Sequence, residues 1–394
     1  MTVHPAFPTH AAEAAPLTVR VVDPLALSDD LAAAWDRLAA AASEPNPFVE
    51  RWCLQSALHL LDPERQARLV MVMTGSDGPL IGVMPLAPAA RYGPLPLRHV
   101  VGWAHPNHFH GAPLVRAGCE TLFWSILLGW CDAAPWAQTL VQVPRLTEDG
   151  PLHRALAEVA RGRGDEAEAV HREERALLES DLSPGAYWEA AMRGKKRKEL
   201  RRQANRLAEL GPLTFRQWRS GDAIEGWIDA FLDLEARGWK GRAGSALASQ
   251  SETEAWFRAI LAAAAEAGRL DMRALDLGER PIALLINFVA PPGAFSFKTA
   301  FDEEYARFSP GVLLQQANLD ILADARVAWV DSCAAPDHPM IDSVWRERRR
   351  LVWINAPLSG ASDRWRFRAL ARAEKIWRRL KRAAPKPPIE QDPS

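Results

Sequence analysis

The chain has 394 residues, 48% apolar and 25% charged, and its 48 Lys and Arg against 49 Asp and Glu leave a net charge of −1. That length holds two or three domains with real cores, and the near-zero average charge says nothing about partners, so the distribution along the chain has to. Cys53, Cys119, Cys131 and Cys333 form no CxxC pair and no metal-type spacing, the N-terminus lacks a cationic start followed by an apolar run, and no apolar run reaches the ~20 residues that span a bilayer. These features predict reduced thiols and a cytoplasmic protein without a signal peptide.

Residues 1–16 read as a flexible lead. A strand is predicted over 17–27, a helix capped by Asp29 or Asp30 and running to Ala41, and a second helix over 48–61. The runs 67–74 and 79–89, joined by GSDG, make a hairpin, and 98–104 a third strand. The polar loop 105–115 leads into an apolar helix (120–133), a strand (139–146), a helix (151–163) and a strand between Glu168 and Asp181. A very basic helix follows over 186–211, then a strand (213–220), helices over 222–240 and 251–268, a second hairpin (269–277 and 281–289), a strand (295–301), a helix from Ser309 to Leu322 and a strand over 327–333. Helices, hairpin, third strand, apolar helix and strand thus occur twice in the same order, which predicts a duplicated α/β unit.

Four stretches offer chemistry. In FSFKTAFDEEYARFSPGVLL an alternating strand meets a helix with Ser309 as N-cap and Pro310 in its first position, just after Arg307. Such a start presents free backbone N–H groups to an anion; a well-capped core helix is the plainer alternative. His105, Asn107, His108 and His110 share one loop that has no carboxylate or thiol of its own, so they read as a substrate-pocket loop facing the second domain and no metal is expected. From Arg193 to Arg206 there are eight Lys or Arg and one Glu. These charges surround the helix without interleaved aromatics, which does not support base stacking, so neither RNA nor DNA is expected as a partner. Residues 364–382 carry nine Lys or Arg, with Phe367, Leu370, Ala373, Trp377 and Leu380 on one face. Two readings stay open for this tail: binding to an anionic membrane surface, peripherally on the inner face of the cytoplasmic membrane, or packing on the body with the arginines snorkelling. The Pro-rich end from Ala383 reads as disordered.

The ordered set RGKKRKELRRQANRLAELG, EARGWKG, GERPIALLINFV, FKTAFDEEYARFSPGVLLQQANLDIL and WVDSC resembles the CelD-type acyltransferases of the GNAT superfamily, relatives of the FemAB aminoacyltransferases, over about residues 185–350. HPNHFHGAPLV and SCAAPDHPMIDSVWRERR are similar to bacterial ceramide synthases within that group. The resemblance implies an α/β fold of two tandem GNAT-like domains with mixed, mostly antiparallel sheets flanked by helices, divided as 17–184 and 185–360 with a tail at 361–394. It implies direct attack of an amine on the thioester of acyl-CoA, used as co-substrate, with the pantetheine along a splayed strand and the pyrophosphate at a helix start. Lys298, Arg307, Ser309, Gly311 and Val312 would then hold the donor. The family's phosphate loop is Arg/Gln-x-x-Gly-x-Gly/Ala, whereas Arg307-x-x-x-Gly311 is one residue longer and Pro310 removes a donor.

For the proton chemistry, Asp331, Asp337 and His338 cluster after the strand 327–333: His338 as base, Asp331 orienting it or holding the amine, Asp337 on the acceptor side. Tyr305 is placed to protonate the departing thiolate, or else to pack. The function expected is N-acylation of an amine, a sphingoid-type lipid or another envelope amine. Two rivals are aminoacyl transfer from tRNA and a non-catalytic envelope or exopolysaccharide biosynthesis protein.

Overall fold

A computed structural model describes residues 17–75 and 78–383, except for the side chains of residues 361 and 376–383. The lead 1–16 and the end from residue 384 therefore lie outside the described residues. The first half runs β1 (Leu17–Val22), α1 (Asp29–Ala40), α2 (Arg51–Leu60), β2 (Arg68–Thr74), β3 (Leu80–Ala89), β4 (His99–Gly102), β5 (Leu114–Val115), α3 (Glu120–Ala133), β6 (Leu140–Thr147), α4 (Pro151–Gly162) and β7 (Glu168–Glu179). Two helices, α5 (Pro184–Ala191) and α6 (Gly194–Ala208), connect it to the second half. That half runs β8 (Leu213–Gln217), α7 (Glu225–Arg237), α8 (Trp239–Arg242), α9 (Ser251–Glu266), β9 (Leu270–Leu277), β10 (Arg280–Ala290), β11 (Gly293–Phe301), α10 (Pro310–Asn318), β12 (Trp329–Asp331), α11 (Pro339–Asp342) and β13 (Glu347–Pro357), and α12 (Ala361–Ala383) closes the chain.

The two halves share one sheet, in the order β1-β2-β3-β4-β6-β13-β7-β12-β11-β10-β9-β8, with β5 beside β3. Neighbours are antiparallel except at two places, β4 with β6 and β11 with β12, the same step in each half. The last strands are exchanged: β7 of the first half pairs with β12 of the second, and β13 pairs with β6 of the first. This exchange, which nothing in the strand patterns foretells, makes the seam between the halves continuous backbone pairing.

Both faces of the second half's sheet are covered. Leu284, Ile286 and Phe288 of β10 pack with α7 and α9, while Ala283, Leu285 and Val289 pack on the side of α10. A strand buried on both faces reads as a continuous apolar run. That corrects the half-buried reading of 295–301, since β11 is buried from Gly293 to Phe297. Two caps also differ from expectation. Ser28 is the N-cap of α1, accepting from the Leu31 amide at 3.3 Å, and Asp29 and Asp30 fill the first turn. Ser309 makes no side-chain cap; it sits at φ 55°, and α10 ends at Asn318 before a 3-10 turn over Leu319–Ala323. In α12, Phe367 and Leu370 are buried against Leu140, Tyr92 and Leu97, Lys375 pairs with Glu168 at 2.8 Å, and Ala373 is exposed. The packing reading thus holds for this part of the tail. Trp377 and Leu380 lie outside the described side chains.

Candidate active site

In the second half, β11 and β12 pair only over Gly293–Phe295 and Trp329–Asp331. Beyond that point β11 continues to Phe301, while the other strand leaves through Ser332 and Cys333, opening a gap. Cys333 turns at φ 53°. A bulge shapes the β11 side of the gap. The register with β10 passes from Ile286↔Lys298 to Asn287↔Ser296, so Phe297 has no partner. One extra residue turns the later side chains to the opposite face. Phe295, Phe297 and Ala300 consequently pack on the α7–α9 side, and Lys298 reaches Glu235 of α7 at 3.8 Å.

Glu235 is almost wholly buried and fully engaged. One oxygen accepts from Lys240 Nζ at 2.8 Å, the other from the Leu247 amide at 2.8 Å. Burial pushes its carboxyl up, but the two lysines and the amide outweigh burial and hold it below its usual range. Lys298 moves the other way: burial, helped by the neighbouring Lys240 charge and opposed by Glu235, lowers its amine to about 8. Burial keeps the Cys333 thiol, near Lys298, above its ordinary value. A neutral thiol is no nucleophile, in keeping with direct transfer.

The first half supplies the opposite wall. The loop 105–112 is held by its carbonyls: Arg145 donates to His108 O at 3.2 Å, Arg175 to Phe109 O at 2.9 Å, and Asn46 to His110 O at 2.9 Å and Ala112 O at 2.6 Å. This buries His105, His108 and His110 between the halves. His105 stands edge-on to Trp256 of α9 at 4.6 Å, and its Nδ1 lies 3.4 Å from the Asn107 amide. Burial, then His108 and Lys298, drives His105 well below its ordinary value; burial lowers His108 to about 4 and His110 well below normal. All three are neutral at physiological pH. No cluster of three His, Cys, Asp or Glu is arranged for a metal among the described residues.

The remaining predicted residues separate into two places. Asp331 is not with His338. It is fully buried in an ion cluster, with Arg175 Nε at 2.6 Å, Arg175 Nη2 at 2.7 Å and Arg349 Nη1 at 3.1 Å. Its carboxylate, held low against burial by these two guanidinium groups, has no open oxygen for a substrate. The catalytic reading of Asp331 is corrected accordingly: it ties β12 to β7 and β13. Tyr305, Arg307, Ser309, Gly311, Val312 and His338 gather around the start of α10. Tyr305 is half-buried under Arg280, and Arg307 is exposed over the Phe308 ring at 4.7 Å. Met340 lies so near Gly311 that a Cβ there would meet its sulfur at 2.6 Å, which brings the His338–Met340 segment onto this helix start. His338 is half-buried with an unpartnered Nδ1, and Asp337 is exposed at φ 59°. The anion site itself is poorer than the sequence implies. The Val312 and Leu313 amides both donate to Ser309 O, at 3.0 and 3.1 Å, and Pro310 has no N–H. Sequence reasoning missed Glu235, Lys240, Trp256, Arg175 and Arg349. EARGWKG held the first two in view, but no spacing rule joins them to Lys298, 63 and 58 residues on.

Residues 194–338 match the family model described as an Acetyltransferase (GNAT) domain. With the splayed pair β11 and β12, this sets the enzyme class as a GNAT-type N-acyltransferase. The crystal structure of FemX is similar in fold, with a TM-score of 0.57 at 9% identity, covering 87% of this chain and 98% of that one. A conserved protein of unknown function from Bacteroides thetaiotaomicron VPI-5482 is similar too, with a TM-score of 0.53 at 11% identity, covering 86% and 100%. No curated protein matches the sequence.

Proposed function

We propose that the chain transfers an acyl group from acyl-CoA to an amine in the gap between β11 and β12, without an enzyme-bound intermediate. The observation that carries this reading is Lys298, turned by the bulge into a buried position beside Glu235 at the mouth of that gap. The acceptor nitrogen attacks the thioester carbonyl; the C–N bond forms, the C–S bond breaks and the thiolate leaves. Lys298, as ammonium, donates to the carbonyl oxygen while negative charge gathers there, and Glu235 holds it in place. The proton that the acceptor amine sheds and the one that the thiolate takes up are exchanged with solvent at the gap, because Tyr305 and His338 stand with the start of α10 on the sheet face opposite Lys298.

The wall beside Lys298 is the Phe297 ring, 5.6 Å from its Nζ, backed by Trp256 and, from the first half, Phe48 and Phe109. Such walls suit an acceptor amine carried on an apolar body. Together with the ceramide-synthase resemblance, this favours a lipid amine of the sphingoid type as substrate, with His105, Asn107, His108 and His110 shaping its wall and Asp337 at its entrance. An enzyme with that substrate works on the cytoplasmic side of a membrane. No described helix is long and apolar enough to cross one. The sequence division at 184/185 is proposed to mark the two functional halves, with the donor held by the second.

Calorimetry with acetyl-CoA and palmitoyl-CoA tests the reading. Tight binding of the long-chain ester is expected, with Lys298→Met leaving that affinity intact and lowering kcat with a sphingoid base about 10²–10³-fold. If neither ester binds, acyl-CoA is the wrong donor and aminoacyl-tRNA becomes the next candidate.

A further inference from the structure

The start of α10 is a weak phosphate site, since Pro310 and the bonded amide of Val312 remove donors that a helix start ordinarily offers. The strongest concentration of positive charge lies beside it. Helix α6 stands outside the repeated halves and packs on the 3-10 turn Glu303–Phe308 that immediately precedes α10. A groove of about 410 Å³ runs between the two helices, lined by Arg197, Lys198 and Arg201 of α6 and by Leu313 and Gln316 of α10. Its cations are largely uncommitted. Lys198 and Arg201 make no ion pair among the described residues, and Arg197 reaches only Glu189, at 3.7 Å, with a buried Nη1 that has no hydrogen-bond partner. One carboxylate, Glu189, lines the groove. At Trp188, Ala204, Leu313 and Gln316 the groove continues into a second, mostly apolar hollow of about 380 Å³ walled by Leu213 and Phe215, the latter half exposed.

We propose that this groove binds the phosphate-bearing nucleotide end of the CoA donor. The phosphates lie against Arg197, Lys198 and Arg201, and the purine lies over Trp188 toward Phe215. The proposal rests on the acyl-CoA reading and supplies what the altered helix start lacks. It also gives α6 a use for cations that otherwise repel one another along one helix.

The test compares two donors, acetyl-CoA and S-acetyl-pantetheine, which carries the same thioester and no phosphate. In Arg197→Glu/Arg201→Glu, the calorimetric Kd for acetyl-CoA is expected to rise about 30-fold or more and to lose much of its salt dependence, with transfer from S-acetyl-pantetheine unchanged. Phe215→Ser, away from the charges, is expected to weaken acetyl-CoA by a few-fold and to leave S-acetyl-pantetheine alone. Equal losses with both donors mean a structural effect and overturn the proposal. An unchanged Kd for acetyl-CoA overturns it while leaving the acyl-CoA reading standing. Wild-type protein that binds no acetyl-CoA but binds a short RNA ending in CCA overturns both.

Discussion

A single side chain decides how the candidate site titrates. The Lys298 amine falls from 10.5 to about 8, so it is protonated at pH 7 and loses its proton through pH 8, far below an ordinary lysine. If the ammonium stabilises the developing oxyanion, kcat/KM falls about tenfold per pH unit above that point. The acceptor amine acts oppositely, since it must be deprotonated and favours high pH. Lys298→Arg keeps the charge through pH 10, so the variant, at lower absolute rate, is expected to lose the falling limb and keep the rising one. A pH–rate profile of both proteins decides it: a falling limb near pH 8 that persists in the variant belongs to some other group. At this scale the sequence was half legible. Lys298 stood out in FSFKTAF, but its neighbours Glu235 and His105 come from a helix end and from a loop almost 200 residues upstream. Contacts between such distant segments are created by packing and leave no periodic trace.

Among the elements, the three strands β7, β12 and β13 carry the seam, and Asp331 fastens all three through Arg175 on β7 and Arg349 on β13. Arg349 also lies over the Trp329 ring at 4.6 Å and donates to Thr147 Oγ1 at 2.8 Å, which extends the hold to the end of β6. Removing one partner of a buried ion cluster leaves the others charged and unpaired. Asp331→Asn is therefore expected to cost about 3–5 kcal/mol in urea denaturation, with donor affinity lost in proportion to unfolding. A variant as stable as the parent but catalytically dead would restore Asp331 to the chemistry. Most strands were readable from apolar runs and turn residues, and their order in the chain suggested the duplication, but β13 (Glu347–Pro357) was not, because its charged first half carries no apolar run or alternation. Asp331 was misread because a carboxylate at a strand end looks the same in sequence whether it faces a substrate or two arginines. Nothing in the run from Arg346 to Arg350 distinguishes Arg349 from its charged neighbours, yet it is buried.

At the scale of the whole molecule, the exchange of β7 and β13 makes the two halves dependent on each other. The sequence suggests two domains in tandem, divided between residues 184 and 185, and shows nothing of what a cut there would break. In the structure such a cut leaves β6 without β13 and β12 without β7, so each piece gains an open sheet edge where the other's strand belongs. An unpaired central edge exposes a row of N–H and C=O groups and the apolar rows beside it. The fragment 17–184 also loses the α9 surface that covers α2, and it uncovers the histidine loop. Expressed alone, 17–184 and 185–394 are expected to aggregate or to remain partly folded by circular dichroism and size-exclusion chromatography. Expressed together, they are expected to assemble into a 1:1 complex that recovers acyl transfer, because the exchanged strands supply each other's missing neighbour. Two fragments that each fold as stable monomers would mean that the seam is a docking surface between finished domains rather than part of either fold.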